Sequence, residues 1–296
     1  MELEEYLKSI LSSQTIAPDS DEMKSLQKSR EEVEELLYAA FSESNPTIRY
    51  AGSKAKDTMI KDSYDLDIAC YFRHDDNDAG ESLKDIFENV ANFLEESYYV
   101  ERKNSSIRIK SKDKQTDYHI DVVPGRFVDD TKTDTNLYQA NSNKDWLKTN
   151  LDIHIDHIKN SGQTNVIRLA KLWKIKNGLS IKTFILELMV VKYAKKSEDK
   201  PLSTGLKSFW QYLKDHGDNI SVEDPANPYG NDLSGFLDET TKQLLSYQAE
   251  VALNNLDEGN WTDIFGEAGK MSGAEGVDAL RSLAASLSST PKPWVP

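Results

Sequence analysis

Two carboxylates stand at the entrance of an apolar β-strand early in the chain. Residues 66–72 are apolar apart from Asp67 and are predicted to form a buried strand. Asp65 and Asp67 flank Leu66, and residues two apart in a strand project from the same face, so both carboxylates are predicted to point away from the core. Carboxylates this close repel each other unless a cation lies between them. The sequence therefore predicts a cation-binding site on a β-sheet.

A third carboxylate lies inside a later apolar strand, predicted over residues 118–123. Asp121 is flanked by Ile120 and Val122, and an unpaired carboxylate in such a position costs several kcal/mol. Carboxylates on two neighbouring strands predict a site for two Mg²⁺ ions, with Mn²⁺ as the alternative ion. Such a metal pair can activate an attacking hydroxyl and neutralise a leaving phosphate.

A Gly-Ser pair follows the short strand predicted over residues 47–51. Gly52 lets the backbone approach a phosphate closely, and Ser53 can donate a hydrogen bond to it. The pair precedes the carboxylates in the chain, so the same sheet is predicted to hold a phosphate and the cation that neutralises it.

The chain is acidic overall but carries two basic strips. It has 36 Lys and Arg against 50 Asp and Glu, for a net charge of −14, which argues against duplex DNA as a stable partner because such binding depends on phosphate neutralisation. Residues 162–186 nevertheless hold five basic residues and no acid, and residues 102–114 hold six and one. Each strip is either a solvated face or an anion site. The second either borders the active-site sheet or binds RNA.

The composition indicates the cellular compartment and excludes disulfide and Cys-based zinc chemistry. No stretch approaches the roughly 18 apolar residues of a membrane span, and the acidic N-terminal sequence differs from a signal peptide. A single cysteine, Cys70, excludes an internal disulfide framework and a Cys-based zinc site. We expect a cytoplasmic protein.

The pattern of predicted elements divides the chain into two halves. Strands are predicted over residues 47–51, 66–72, 98–102, 106–110 and 118–123, and from about residue 143 the pattern is helical, with helices predicted over 166–177, 182–195, 206–216, 237–256 and 274–287. We predict an α+β fold with a cleft between two domains. The domains are residues 1–142, which include N-terminal helices at 3–13 and 21–41, and residues 143–290; residues 291–296 are predicted to be a flexible tail.

The order Gly-Ser, Asp-x-Asp and a later strand Asp resembles the nucleotidyltransferase superfamily of the DNA polymerase β type. Segments 168–174, 181–188 and 222–228 of the helical half are similar to the oligoadenylate synthetase and cGAS group, the last of them to an Asp-Pro-x-x-Pro loop of its bacterial members. The closest likeness is to the bacterial cGAS/DncV-like nucleotidyltransferases (CD-NTases) of anti-phage signalling, over about residues 20–260. It implies a polymerase β-like core, a mixed sheet with flanking helices, packed on an all-helical domain.

The resemblance also implies roles for individual residues. The metal ligands would be Asp65, Asp67 and Asp121, with Asp121 also deprotonating the acceptor hydroxyl. The donor nucleotide would be held by Gly52, Ser53, Lys171, Thr183 and Phe184, the last stacking on the base. Two of these have plain alternatives, because Thr183 could cap the helix that it opens and Phe184 could be a core residue.

The implied activity is Mg²⁺-dependent synthesis of cyclic di- or trinucleotide second messengers from NTPs, ATP among them, in bacterial anti-phage signalling (CBASS). The expected protein is a monomer that meets regulatory or effector proteins encoded nearby and has no membrane contact. Two other functions stay open. One is nucleotide transfer to RNA, by CCA or poly(A) addition, or to a protein. The other is a non-catalytic nucleotide-binding relative.

Overall fold

The computed structural model describes residues 2–112, 118–140, 144–195, 201–229 and 231–267. Ten α-helices lie within these residues: α1 (Leu3–Ser13), α2 (Asp21–Ala40), α3 (Gly52–Ala55), α4 (Leu83–Ser97), α5 (Leu151–Lys159), α6 (Thr164–Lys176), α7 (Thr183–Tyr193), α8 (Leu202–His216), α9 (Glu239–Glu258) and α10 (Trp261–Phe265). The helix predicted over 274–287 and the tail at 291–296 fall outside the described residues.

A seven-stranded mixed sheet forms the first half of the described chain. Its strands are β1 (Thr47–Tyr50), β2 (Leu66–Phe72), β3 (Tyr98–Arg102), β4 (Ile107–Ser111), β5 (Ile120–Phe127), β6 (Thr135–Tyr138) and β7 (Trp146–Thr149). The order is β1-β2-β5-β4-β3, and β6 pairs with β5 and with β7. Strands β2 and β5 are parallel, and the other pairs are antiparallel. The predicted α+β mixed sheet with flanking helices is confirmed.

The strand predicted over residues 118–123 ends too early in the prediction, because β5 continues to Phe127. On one side β5 pairs with β4 through residues 120–122 and with β6 through residues 125–127. Pro124 falls between these two partners, so its missing N–H removes no ladder bond on that side. Gly125 is required by close packing, since a Cβ there would lie 2.7 Å from Leu137 Cδ2.

Strands β6 and β7 were not predicted. Each has only four residues, and strands this short carry too little alternation to stand out from a loop. Helix α5 follows at once, with the side chain of Asn150 capping it by accepting a hydrogen bond from the Ile153 N–H at 3.1 Å. The transition to helical structure therefore comes a few residues later than predicted.

Two main hydrophobic clusters stabilise the protein. In the first, the apolar faces of α2 and α4 cover one side of the sheet; the second lies among the helices of the other half. Helix α1 belongs to the second cluster, although it precedes the sheet in sequence. The Tyr6 hydroxyl also lies within hydrogen-bond distance of two carbonyls, that of Gly266 at 2.7 Å and that of Trp261 at 3.0 Å. The first and last described helices are thus joined. None of the described helices is long and apolar enough to cross a membrane.

Candidate active site

A row of charged residues crosses three neighbouring strands. Asp67 of β2 is the register partner of Asp121 of β5, and Asp121 is the register partner of Arg108 of β4. Because side chains alternate along a strand, the next positions, including Ile68 and Val122, point to the opposite face, where both are fully buried. The alternation predicted from the sequence thus brings the two strand carboxylates side by side.

Arg108 is the cation of this row. Its Nε lies 2.9 Å from Asp121 Oδ1, and its Nη2 lies 2.8 Å from Asp121 Oδ2. The same Nη2 is 3.8 Å from Asp65 Oδ2. The hydrogen bonds to Asp121 raise the pKa of Arg108. The structure therefore places Asp65 and Asp121 around one guanidinium, with Asp67 next to Asp121.

Asp67 has the most perturbed carboxylate of the site. Its pKa is raised to about 7, first by desolvation and then by the negative charges of Asp121 and Asp65, while Lys56 and Lys171 act in the opposite direction. A carboxylate in these surroundings is stabilised by an added positive charge.

The Gly-Ser segment packs directly on Asp67. The Ala51 N–H donates to the Asp67 carbonyl at 2.8 Å. Gly52 has φ +56°, and a Cβ at that position would lie 1.6 Å from Asp67 Oδ2. A side chain at position 52 would therefore collide with the Asp67 carboxylate, so only glycine fits there. Ser53 is the second residue of α3, the helix that begins at Gly52.

Lys171 approaches the site from the helical half. It is only 4% exposed, and its Nζ donates to the Thr58 carbonyl at 2.7 Å. Burial lowers the pKa of Lys171 to about 8, against the opposing effects of Glu187 and Asp67. Lys171 is therefore charged at neutral pH, although its buried surroundings disfavour the charge. An anion bound beside Lys171 would stabilise the charged form.

Thr183 and Phe184 open helix α7. Lys182 is the N-cap of this helix, without a side-chain cap bond, so the alternative that Thr183 is the cap is wrong. The Thr183 hydroxyl accepts a hydrogen bond from Lys174 Nζ at 3.1 Å. The half-buried Phe184 packs against the helical cluster, and its ring centre lies 4.6 Å from that of His154. Phe184 is thus partly a core residue, as the alternative stated.

Three polar residues near the site were missed by sequence reasoning: Arg108, Lys56 and Glu187. Glu187 is fully buried, and Lys56 Nζ lies 4.8 Å from the centre of the Phe184 ring. The sequence signal for Glu187 was available, because it is the only acid in the apolar helix α7. Arg108 gave no comparable signal within its basic strip.

The acid and histidine run at residues 152–157 does not form a metal cluster. Asp152 pairs with Arg49, and His154 Nε2 lies 2.6 Å from Asp224 Oδ1. Burial opposes the charge of Asp224, but the hydrogen bonds from His154 and Asn231 lower its pKa. Asp224 therefore connects α5 with Asn231.

The carboxylates of the sheet have the donor chemistry of a hard divalent cation. Three oxygen-donor side chains converge, and their mutual repulsion contributes to the raised pKa of Asp67. In the arrangement of the described residues, no group of three His, Cys, Asp or Glu side chains is placed to hold a metal ion. Arg108 takes both oxygens of Asp121. By their chemistry, the carboxylate oxygens of Asp65, Asp67 and Asp121 suit a hard divalent cation.

The two basic strips differ in their partners. In the strip at residues 102–114, Arg102 pairs with Glu88 and Glu95, and Lys103 pairs with Glu101. In the strip at residues 162–186, by contrast, neither Arg168 nor Lys171 forms an ion pair with a carboxylate of the described chain. The strip at residues 162–186 therefore has positive charge available to an anion at Lys171, which also influences the charge of Asp67.

The sheet presents the adjacent carboxylates of Asp67 and Asp121, and Lys171 of the helical half is close enough to lower the pKa of Asp67. Residues 1–161 match the Second Messenger Oligonucleotide or Dinucleotide Synthetase (SMODS) domain. The chain belongs to this family, and it is a nucleotidyltransferase that makes second messengers from nucleoside triphosphates.

Solved structures share the whole fold at low sequence identity. CdnG, a CD-NTase of Bradyrhizobium diazoefficiens solved with GTP, superposes with a TM-score of 0.72 at 14% identity, over 96% of this chain and 99% of that one. DncV, the cyclic AMP-GMP synthase of Vibrio cholerae, gives 0.73 at 13% identity, over 90% and 96%. CdnC of E. coli MS115-1, solved with HORMA-deltaN, gives 0.69 at 18% identity, over 90% and 98%. No curated protein matches the sequence.

Proposed function

We propose that this protein joins NTPs, ATP among them, into a cyclic di- or trinucleotide for anti-phage signalling of the CBASS type. One observation carries the proposal. Asp67 and Asp121 lie side by side on parallel strands, with Asp65 near them and with Lys171 close enough to influence the charge of Asp67. A triphosphate between these groups would meet carboxylates, through a cation, on one side and a buried ammonium on the other.

Asp65, Asp67 and Asp121 are the groups that would hold Mg²⁺ or Mn²⁺. When bound, the ions supply charge neutralisation at the phosphates, and two ions are the number that we propose. Support comes from the all-oxygen donor set and from the raised pKa of Asp67, which a bound cation would reverse.

The remaining residues bind and orient the nucleotide. Ser53 donates to the donor phosphates from the segment that Gly52 holds against Asp67, Lys171 and Thr183 contact the triphosphate, and Phe184 stacks on the base. The acceptor hydroxyl oxygen forms a bond to the α-phosphorus, and the bond from that phosphorus to pyrophosphate breaks. The hydroxyl proton passes to the Asp121 carboxylate. Repeating the step within the linear product closes the ring. Positioning and charge supply most of the catalysis.

We also propose where the nucleotide binds between the domains, the oligomeric state, the compartment and a regulatory partner. The domains at residues 1–142 and 143–290 would form the two walls of the nucleotide cleft. We propose a monomer that acts on the cytoplasmic NTP pool. The CdnC structure contains a HORMA partner, so a regulatory protein is proposed here also.

Nucleotide transfer to RNA has less support. It would need a basic surface to hold the RNA, and Arg102 and Lys103 of the strip at residues 102–114 are engaged by glutamates.

Incubation with the four NTPs and Mg²⁺ tests the proposal. Mass spectrometry should detect a phosphatase-resistant cyclic product, which Asp65→Asn, Asp67→Asn and Asp121→Asn each abolish. The control is Asp129→Asn, which alters an exposed carboxylate in the turn before β6. Extension of added tRNA without cyclic product would favour the RNA alternative, and a product from all three site variants would overturn the assignment of the carboxylates.

A further inference from the structure

Glu187 is a buried charge that the fold alone does not require. It lies in α7 one turn after Thr183, among the buried residues Ile185, Leu186 and Leu188, and is itself 0% exposed. A buried carboxylate is costly unless it is paired and hydrogen-bonded, and an apolar residue of similar volume is often as stabilising. Apolar residues in place of Glu187 and its ion-pair partner could therefore preserve the packing of α7.

The partners of Glu187 both come from the segment that follows α3. Lys56, the C-cap residue of α3, pairs with Oε2. The Thr58 hydroxyl donates to Oε1 at 2.6 Å. Both carboxylate oxygens are thus used to hold one short stretch of the sheet half against the helical half.

The same stretch receives a second bond from the helical half. Lys171 Nζ donates to the Thr58 carbonyl at 2.7 Å. Helices α6 and α7 therefore both bind the segment that follows the Gly52–Ala55 helix. These two helices carry the residues assigned to the triphosphate and the base, and α3 carries the residues assigned to the phosphates.

Charge complementarity supports the same picture. Lys56 and Lys171 are the two cations that lower the pKa of Asp67. Glu187 pairs with the Lys56 ammonium, which lies 4.8 Å from the centre of the Phe184 ring and lowers the pKa of Asp67. A shift of Lys56 would alter the electrostatic environment of both Asp67 and Phe184.

We propose that Glu187 is a positioning residue. It holds residues 52–58 close enough to Lys171 and Thr183 for one nucleotide to contact both halves of the protein. This rests on the nucleotide-binding role proposed above. It predicts that loss of the Glu187 contacts weakens nucleotide binding in a protein that is still folded, because misplacement of a binding group by about 1 Å can cost up to about 100-fold.

Three variants test this inference. Glu187→Gln keeps the shape and removes the charge. Thr58→Val removes one hydrogen bond at a residue that is 0% exposed and so cannot contact a nucleotide. The double variant Lys56→Met/Glu187→Leu removes both charges and restores an apolar interior. Glu250→Gln is the control, because Glu250 pairs with Lys214 between α8 and α9 within the helical half.

The readouts are the Kd for α,β-methylene ATP with Mg²⁺, measured by calorimetry well below the melting temperature, and KM and kcat for cyclic product. Glu187→Gln and the double variant should raise Kd and KM about tenfold or more, and Thr58→Val several-fold. The double variant should melt closer to the wild type than Glu187→Gln does. Glu250→Gln should bind as the wild type.

Wild-type Kd in either Thr58→Val or the double variant would overturn the inference and leave Glu187 a structural residue. Failure of the proposed function looks different. In that case the wild type binds the analogue but makes no cyclic product, and the variants still differ in Kd.

Discussion

Arg108 holds both carboxylate oxygens of Asp121, at 2.9 and 2.8 Å, from the adjacent antiparallel strand. The guanidinium supplies the counter-charge of Asp121, and its Nη2 lies 3.8 Å from Asp65 Oδ2. Arg108→Met should therefore lower the melting temperature in EDTA, because Asp65 and Asp121 lose their counter-charge. It should also increase the rise in melting temperature that Mg²⁺ or Mn²⁺ produces. Thermal unfolding with and without the ions measures both effects. Arg102→Met is the control, since Arg102 pairs with Glu88 and Glu95 away from the site, and an equal response of the two variants would contradict the prediction.

The raised pKa of Asp67 predicts a pH-dependent stability. The pKa of about 7 lies above the ordinary 3.8, so the folded protein binds this proton more tightly than the unfolded chain. Stability is therefore lost as pH rises through the window from about 4 to 7. Asp67→Asn avoids the loss and should melt a few degrees higher than the wild type in EDTA at pH 8, with a smaller difference at pH 5. Asp129→Asn should show no such gain, and a melting curve of Asp67→Asn below that of the wild type at pH 8 would contradict the assignment.

Lys171 should make nucleotide binding depend on pH above neutrality. Its pKa of about 8 means that the free protein loses this positive charge as pH rises from 7 to 9. The wild-type KM for NTP should therefore rise through pH 8. Lys171→Met should have a KM that is high and nearly constant over the same range, because it has no charge to lose. Steady-state kinetics at fixed free Mg²⁺ measure the profiles, and parallel profiles of the two proteins would exclude Lys171 as the titrating group.

Gly52→Ala should be among the most damaging small substitutions in the chain. The added methyl would lie 1.6 Å from Asp67 Oδ2, and φ is +56° there, so both Asp67 and the backbone must move. We expect at least about a 100-fold loss of cyclic product formation, together with a lower melting temperature. Gly235→Ala is the matched control, because a Cβ at Gly235 meets nothing within 4 Å. Product formation by Gly52→Ala at the rate of Gly235→Ala would refute the argument.

Phe184→Ala should weaken nucleotide binding more than it changes turnover. Stacking on an aromatic ring contributes roughly 1–3 kcal/mol per base, so KM for NTP should increase roughly 5- to 100-fold with a smaller effect on kcat. Phe236→Ala removes a ring that is 47% exposed and lies under Lys182, and it should leave both constants unchanged. A variant of Phe184 with normal KM and low stability would identify the ring as core alone.

The parts of the fold that could be predicted from sequence have strong local patterns. The apolar run of β2 predicted that strand, and the helical periodicity of α2 and α6 predicted those helices. The Asp-x-Asp pair and Asp121 predicted the carboxylates that the sheet brings together. These patterns are local because burial on one face imposes a period of 2 or 3.6 residues. The continuation of β5 through Pro124 was missed because it depends on which neighbours flank the strand at that point.

The partners of the site residues could not be predicted in the same way. Whether Arg108 faces Asp121 depends on the register of β4 against β5, and whether Glu187 meets Lys56 depends on how α7 packs against the segment after α3. Both are distances between elements, which no periodicity encodes. A lone acid within an apolar helix could have flagged Glu187 as a residue that needs a partner, but not the identity of that partner.

The parallel pairing of β2 with β5 also determines when this site can form during folding. The two strands are far apart in the chain, and α4, β3 and β4 lie between them in sequence. Long-range parallel pairing is among the slower events in folding, because a large loop must close before the contacts form. During synthesis, Asp67 is made well before its neighbour Asp121, so a nascent chain that ends before β5 has no complete carboxylate site. Only chains in which β5 has already paired with β2 can therefore carry out nucleotide transfer.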